Sequence, residues 1–423
     1  VGETKDLRID PSADRIAAEI DELSALRNDD QPGWSREVFS EPYREARDWV
    51  AGRMKDAGLE VSRDGAGNIV GVLAGRSPSA PPLVTGSHTD TVVGGGRFDG
   101  IVGVLGAIEL VRCLRESGAR LTRDLVVVDF LGEESNDWGL SCLGSRALAG
   151  EITSADLDRA DQSGVRLGDR YEGFGLAADS VLAVDWLRGL RPHAYVELHV
   201  EQGPLLERKG AQIGVVTAIA GIRRLVATFT GRPDHAGTRP MDDRRDAMVA
   251  AARAVLEVQR TGCGAPVHGV ATATSLMTPG VSPNVVPASV QMKMEMRSID
   301  RSWFSAAQQQ LIDDIAAQAE QEGVDVEFSW TNDNDIVDTA LAVQDAVAEA
   351  AERAGRSWTA VPSGATHDAV HVANICPTGM IFVPSRDGRS HCPEEWSDFD
   401  DVAAGVEVLG DTLAQLDQAA EVG

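Results

Sequence analysis

The run Leu125-Val126-Val127-Val128-Asp129-Phe130-Leu131 constrains this chain more than any other stretch. It is apolar without alternation, the pattern of a strand covered on both faces, and such strands belong to parallel or mixed sheets flanked by helices. It ends at Gly132-Glu133-Glu134, so an acidic pair stands where a buried strand emerges. Open α/β sheets place their chemistry just beyond strand ends. Two further runs repeat the arrangement. Leu83-Val84-Thr85 leads into Gly86-Ser87-His88-Thr89-Asp90-Thr91, and Ala194-Tyr195-Val196-Glu197-Leu198-His199 carries a second histidine to a strand end.

Helices are expected between these strands. Asp10-Pro11-Ser12 opens one whose apolar residues Ile16, Ile20, Leu23 and Leu26 recur at three and four. A second covers 41–58, a hairpin joins 59–63 to 68–73, and a helix over 101–114 follows the His88 segment. From residue 217 the order becomes strand, helix, strand, strand, helix, strand, which is a complete ferredoxin-like α+β unit. The alternation Val290, Met292, Met294, Met296 is read as the core face of one of its strands. With 423 residues the chain exceeds what one core fills. The expected architecture is an α/β mixed-sheet catalytic domain, residues 1–216 and 332–423, interrupted by an inserted lid and dimerisation domain at 217–331, with hinges near 217–220 and 331–335.

Charge excludes some function classes. A formal net charge of −27 repels phosphate backbones and anionic membranes, so neither nucleic acid nor membrane is an expected partner. Five scattered cysteines without a CxxC pair argue against a disulfide framework. No run of roughly 18 apolar residues is present, and a cytoplasmic protein is expected.

The residues that carry chemistry are His88, Asp99, Glu134, His199 and His391, each beyond an apolar strand or in a loop. Imidazoles and carboxylates in this mixture suit borderline divalent cations, and one carboxylate shared between two ions is a recurring hydrolytic arrangement. Adjacent acids on a loop point in different directions, so Glu133 and Glu134 are able to divide proton transfer from metal binding.

These residues stand in motifs that recur together and in order: His88-Thr89-Asp90-Thr91 with Phe98-Asp99-Gly100, Glu133-Glu134-Ser135, Gly144-Ser145-Arg146-Ala147-Leu148, His199-Val200-Glu201-Gln202-Gly203-Pro204, Asp234-His235-Ala236-Gly237-Thr238, and Pro384-Ser385-Arg386-Asp387-Gly388 with Ser390-His391. On them the chain resembles the peptidase M20 superfamily. The resemblance is to its hydantoinase/carbamoylase amidase branch of N-carbamoyl-L-amino acid hydrolases, β-ureidopropionases and allantoate amidohydrolases. The His-Val-Glu-Gln-Gly-Pro block is the most specific part, because this branch has histidine where M20 peptidases usually have a carboxylate.

The resemblance implies two divalent ions, zinc or else manganese, cobalt or nickel, bridged by Asp99. His88 and His199 complete one ion's ligands, and Glu134 and His391 the other's. It makes Glu133 the general base acting on an ion-polarised water, with Asp90 orienting His88. It further implies a small ureido or amide substrate with a carboxylate, bound by Arg297 together with Asn284, Gln202, Ala365 and Thr366. His235 would stabilise the oxyanion from across a homodimer interface. The expected reaction is hydrolysis of the carbamoyl C–N bond of an N-carbamoyl-L-amino acid, with allantoate hydrolysis or an aminoacylase or dipeptidase activity as alternatives. Two segments depart from the family pattern: Thr366 in Gly364-Ala365-Thr366-His367-Asp368 replaces a glycine, and 136–142 differs throughout.

Overall fold

A computed structural model describes residues 9–280, 282–420 and 422. The chain divides into two compact units, one of residues 1–217 and 338–423, the other of residues 218–337. In the first, a mixed sheet runs in the order Glu60–Arg63, Ile69–Leu73, Leu125–Phe130, Leu83–His88, Ala194–Val200, Thr378–Val383, Ile213–Ile219, with Trp358–Ser363 beside the last of these. The four central strands are parallel to one another and buried along their whole length. The unalternated run at 125–131 therefore does what its composition demands: both faces are covered. The strand Leu83–His88 lies between Leu125–Phe130 on one side and Ala194–Val200 on the other. Successive connections thus leave it in opposite directions, and such a switch point opens a crevice at the strand ends.

Helices fill the faces. Ala13–Ser24 starts at Ser12, whose side chain accepts from the Arg15 N–H, and its buried Ile16, Ile20 and Leu23 are the residues its spacing picks out. Ile101–Ser117 is buried along nearly all of its length and packs in one apolar core with the closing helix Phe399–Gln418. Each fully buried Leu or Ile in that core contributes about 1.5–3 kcal/mol. Two strands, Ile213–Ile219 and Trp358–Ser363, were not anticipated from the sequence. No helix among the described residues is long and apolar enough to cross a membrane.

The second unit is a four-stranded antiparallel sheet in the order Asp325–Asn334, Gly221–Thr230, Ser289–Ser298, Val270–Met277. The helices Ala247–Cys263 and Arg301–Gln321 supply its other layer. Val290, Met292, Met294 and Met296 all point into this core, as alternation on a half-buried strand requires. Its last strand runs to Asn334, past the expected end at 331.

Candidate metal centre and active site

His88 is the last residue of its strand, paired in register with Phe130, and His199 is next to last on the neighbouring strand, opposite Phe382. Both imidazoles are therefore fixed by sheet hydrogen bonding rather than by a loop. Asp99 comes from the segment that enters the helix Ile101–Ser117. The turn closes at Gly100, with φ +68° and no room for a side chain: a Cβ would lie 2.4 Å from His88 Nε2. A glycine is required there both sterically and conformationally.

Asp99 faces two ways. Its Oδ1 is 3.2 Å from His199 Nε2 and 3.7 Å from His88 Nε2, while its Oδ2 is 3.1 Å from His391 Nε2. His391 Nε2 is in turn 3.4 Å from Glu134 Oε1. The structure thus gathers His88, Asp99 and His199 into one group able to hold a metal ion, and Asp99, Glu134 and His391 into another. Asp99 belongs to both.

Glu133 points to the same place, its Oε2 3.7 Å from His88 Nε2. Asp90 does more than simple spacing suggests. Its backbone carbonyl is 3.2 Å and its Oδ1 3.5 Å from His88 Nδ1, and its carboxylate also accepts the backbone N–H groups of Glu133 (3.1 Å) and Glu134 (3.0 Å). Gln202, at φ +55°, donates from Nε2 to Asp99 Oδ2 at 2.6 Å, and its Oε1 is buried without a partner.

The electrostatics call for cations. Asp90, Asp99, Glu133, Glu134, Glu197, Asp368 and Glu395 are all buried, and among the described residues their only ion-pair partners are histidines. Unpaired buried carboxylates are expensive. Burial, then repulsion from Glu134 and Asp368, pushes Glu133 well above the usual carboxylate range. Burial and the nearby Asp99 raise Glu134 to about 7. Burial would also raise Asp99, yet hydrogen bonds from His199 and His391 hold it well below the ordinary value. The hydrogen bond to Asp99 lifts His391 to about 9. Imidazole and carboxylate donors with this surplus of negative charge fit divalent cations of the borderline kind.

Several contributors were given no role from the sequence. Glu395 Oε1 accepts the N–H groups of Phe98 (2.8 Å) and Asp99 (3.0 Å), and Ser390 Oγ lies 2.6 Å from its Oε2 and 2.8 Å from Asp99 Oδ2. Glu197 accepts from Ser87 Oγ, Tyr195 OH and the Ala369 N–H, and with His199 and His367 forms a third group of donor atoms. The His367 ring meets that of His199 edge to face at 4.5 Å, and its Nε2 is 2.7 Å from Ser363 Oγ. Ser363 Oγ also accepts the Ala365 N–H at 3.1 Å. The loop bearing Ala365 and Thr366 is thereby fixed beside His199. Cys142, buried at φ +56°, donates its backbone N–H to the Glu133 carbonyl and places Sγ 3.5 Å from Glu133 Oε1.

The remaining expected site residues lie in the second unit. His235 and Asn284 are exposed neighbours: Val285 pairs with His235, and Ala236 N–H donates to the Asn284 carbonyl. Arg297 is elsewhere, near the far end of Ser289–Ser298 beside Ile222, with its Nε 2.6 Å from Glu295 Oε1.

Buried acids and imidazoles at the strand ends of a mixed sheet form a cluster able to hold cations. Residues 84–415 match Peptidase family M20/M25/M40, and the chain belongs to that family. It is 37% identical over 408 residues to an N-carbamoyl-L-amino-acid amidohydrolase of Paenarthrobacter aurescens, covering 96% of this chain and 98% of that one. It is also 37% identical over 407 residues to a ureidoglycolate hydrolase of Arabidopsis thaliana, covering 94% and 85%. The crystal structure of an amidase of the hydantoinase/carbamoylase family from Burkholderia multivorans superposes with a TM-score of 0.86 at 34% identity, over 96% and 98% of the two chains.

Proposed function

We propose that this protein is a binuclear metal-dependent amidohydrolase that cleaves the carbamoyl C–N bond of an N-carbamoyl-L-amino acid or a similar ureido acid. The observation that carries the reading is Asp99, one carboxylate whose two oxygens face two separate groups of histidine and glutamate donors. His88 and His199 would hold one ion, Glu134 and His391 the other, with Asp99 shared; zinc, manganese, cobalt and nickel all suit such ligands. When bound, divalent ions supply Lewis acidity toward a water and the scissile carbonyl. Glu133 takes a proton from that water and returns it to the departing nitrogen. Burial raises this carboxyl above its usual range and so makes it a stronger base than an exposed glutamate. Gln202 steadies Asp99 through its 2.6 Å bond, and Asp90 holds the loop of the acid pair.

Arg297 is assigned to the substrate carboxylate, Asn284 to a substrate hydrogen bond, the Ala365-Thr366 loop to the pocket wall and His235 to the oxyanion. Within the second unit His235 and Asn284 lie at one end of the sheet and Arg297 at the other, about 25 Å apart at the rise of a strand. One small molecule reached by both ends is best served by two copies, so His235 and Asn284 act from the partner of a homodimer. The exposed edge strand Val270–Met277, carrying exposed Val270, Leu276 and Met277, offers that dimer an apolar, pairing-competent surface. The 217/218 and 337/338 crossings would serve as hinges for a lid, and a formal net charge of −27 suits an enzyme of small substrates rather than of phosphate backbones.

A second ureido acid, ureidoglycolate, is kept as a reading because the Arabidopsis relative bearing that name matches as well as the carbamoyl amino-acid hydrolase does. Ammonia release on N-carbamoyl amino acids, ureidoglycolate, allantoate, N-acyl amino acids and dipeptides separates these. Turnover of dipeptides alone would overturn the proposal.

A further inference from the structure

A cavity of about 490 Å³ lies in the first unit at the opposite end of the sheet from the candidate metal centre. Leu125, on its wall, begins the strand that ends at Phe130, three residues before Glu133. Arg115, also on its wall, is in the last turn of the helix Ile101–Ser117, whose first turn abuts His88. That 17-residue helix spans about 25 Å, so the cavity and the metal centre are separate places.

The cavity has two kinds of wall. Val72, Leu73, Leu114, Leu121 and Leu125 give it an apolar floor. Arg115 and Arg120 supply positive charge, Arg123 adds its backbone to the wall, and Glu60, exposed like the two arginines, is its single acidic lining residue. In a chain of formal net charge −27 most arginines find carboxylates. These three form no ion pair among the described residues; each donates to backbone carbonyls instead. Arg115 reaches Ala57 O (2.8 Å), Arg120 reaches Gly75 O (3.0 Å), and Arg123 reaches Pro81 O (3.1 Å) and Ala419 O (3.2 Å). The helix's carbonyl end accounts for the position of Arg115. It does not account for Arg120, which bonds the Gly75 carbonyl on the cavity wall; the Arg123 guanidinium turns away, to Pro81 O and Ala419 O.

We infer that this cavity is a binding site for a small amphipathic anion, an apolar chain ending in a carboxylate or comparable acid. The chain would lie on the leucine floor and the acid would meet Arg115 and Arg120, whose guanidinium groups lie beside the lining residues Gly58 and Gly75. Guanidinium groups whose charge is uncompensated and whose planes offer parallel N–H pairs are the usual seat of such a head group. The volume falls in the range of ordinary ligand pockets.

The test is calorimetric titration of the metal-loaded enzyme with octanoate, using octylamine as control. Saturable 1:1 binding of octanoate and none of octylamine is expected. Arg120→Glu should weaken binding by about tenfold or more, the scale of one charge-assisted contact, and leave kcat/KM unchanged. Ala119→Trp, which fills the cavity without touching its charge, should abolish it. Equal affinity in wild type, R120E and A119W would place the ligand elsewhere and overturn the inference. So would the absence of saturable binding, or equal binding of octylamine. Unchanged turnover in both variants shows that they are folded.

Discussion

Substitution of Glu395 is the sharpest way to ask whether the shared carboxylate is held in place or merely present. Glu395 is not one of the predicted ligands; it grips the backbone on which Asp99 is mounted, through the N–H groups of Phe98 and Asp99, and it shares Ser390 Oγ with Asp99. Glu395→Ala leaves two buried donors unpaired, at about 1–3 kcal/mol each. It also opens the space against Gly96, where a Cβ would come within 2.2 Å of Glu395 Oε1. Some of that cost is recovered if water enters; the remainder frees the segment that sets the direction of both Asp99 oxygens. Loss of such a supporting group lowers metal affinity by about ten- to a hundredfold. Glu395→Gln keeps an acceptor for the two amides, while its NH₂ donates to Ser390 Oγ, whose own proton then serves Asp99. Metal affinity by calorimetry should therefore fall steeply in E395A and little in E395Q, with turnover following it at limiting metal. Wild-type metal affinity in E395A would refute the reasoning.

Removal of bound metal with a chelator should abolish turnover, and add-back should restore it. Rebinding should strengthen as pH rises from about 6 to about 9: in the metal-free protein Asp99 holds His391 up at about 9 and burial holds Glu134 at about 7, and both must lose protons to become ligands. Calorimetry in buffers of different ionisation enthalpy should record proton release, and heats independent of the buffer would contradict this. Glu133→Ala should lower kcat by about 10²–10⁴-fold with metal content unchanged; intact turnover would remove Glu133 as the base. Cys142→Ala, deleting the thiol 3.5 Å from Glu133 Oε1, should cost a few-fold in kcat, on the scale of roughly 1 kcal/mol for a weak hydrogen bond. Cys142→Ser should recover most of it, and a C142A enzyme equal to wild type would show that the contact is incidental.

What could be read from the sequence was whatever local pattern decides. The apolar run at 125–131 had to be a doubly covered strand, and the alternation through Met292, Met294 and Met296 had to be a core face; both are. Histidines at the ends of such runs had to converge, because parallel strands bring their ends to one edge. The oddity of Asp129 inside the run was visible, but not its reason. Arg47 from the helix Glu41–Asp56 stands 3.3 Å away and Thr89 donates to it at 3.0 Å, contacts that only the packed sheet creates. The strand Trp358–Ser363 escaped because it contains a proline and neither alternates cleanly nor forms an unbroken apolar run. Glu197, Asp368 and Glu395 escaped because burial, and not residue type, separates them from the chain's other acids.

Asp90 shows the limit of local spacing most clearly. Two residues from His88, it is the natural orienting partner of that imidazole, and its carbonyl does stand against Nδ1. Its carboxylate, 3.5 Å from the same nitrogen, also accepts the N–H groups of Glu133 and Glu134 on the next strand's exit loop. The residue therefore joins the strand that presents a metal ligand to the loop that presents both the base and another ligand. Spacing along the chain finds the first bond, since it is local, and cannot find the second, since that depends on Leu83–His88 lying parallel and adjacent to Leu125–Phe130. The sheet order that makes a crevice at these strand ends is thus also what gives Asp90 its second set of partners, and it explains why the acid pair follows this strand and no other.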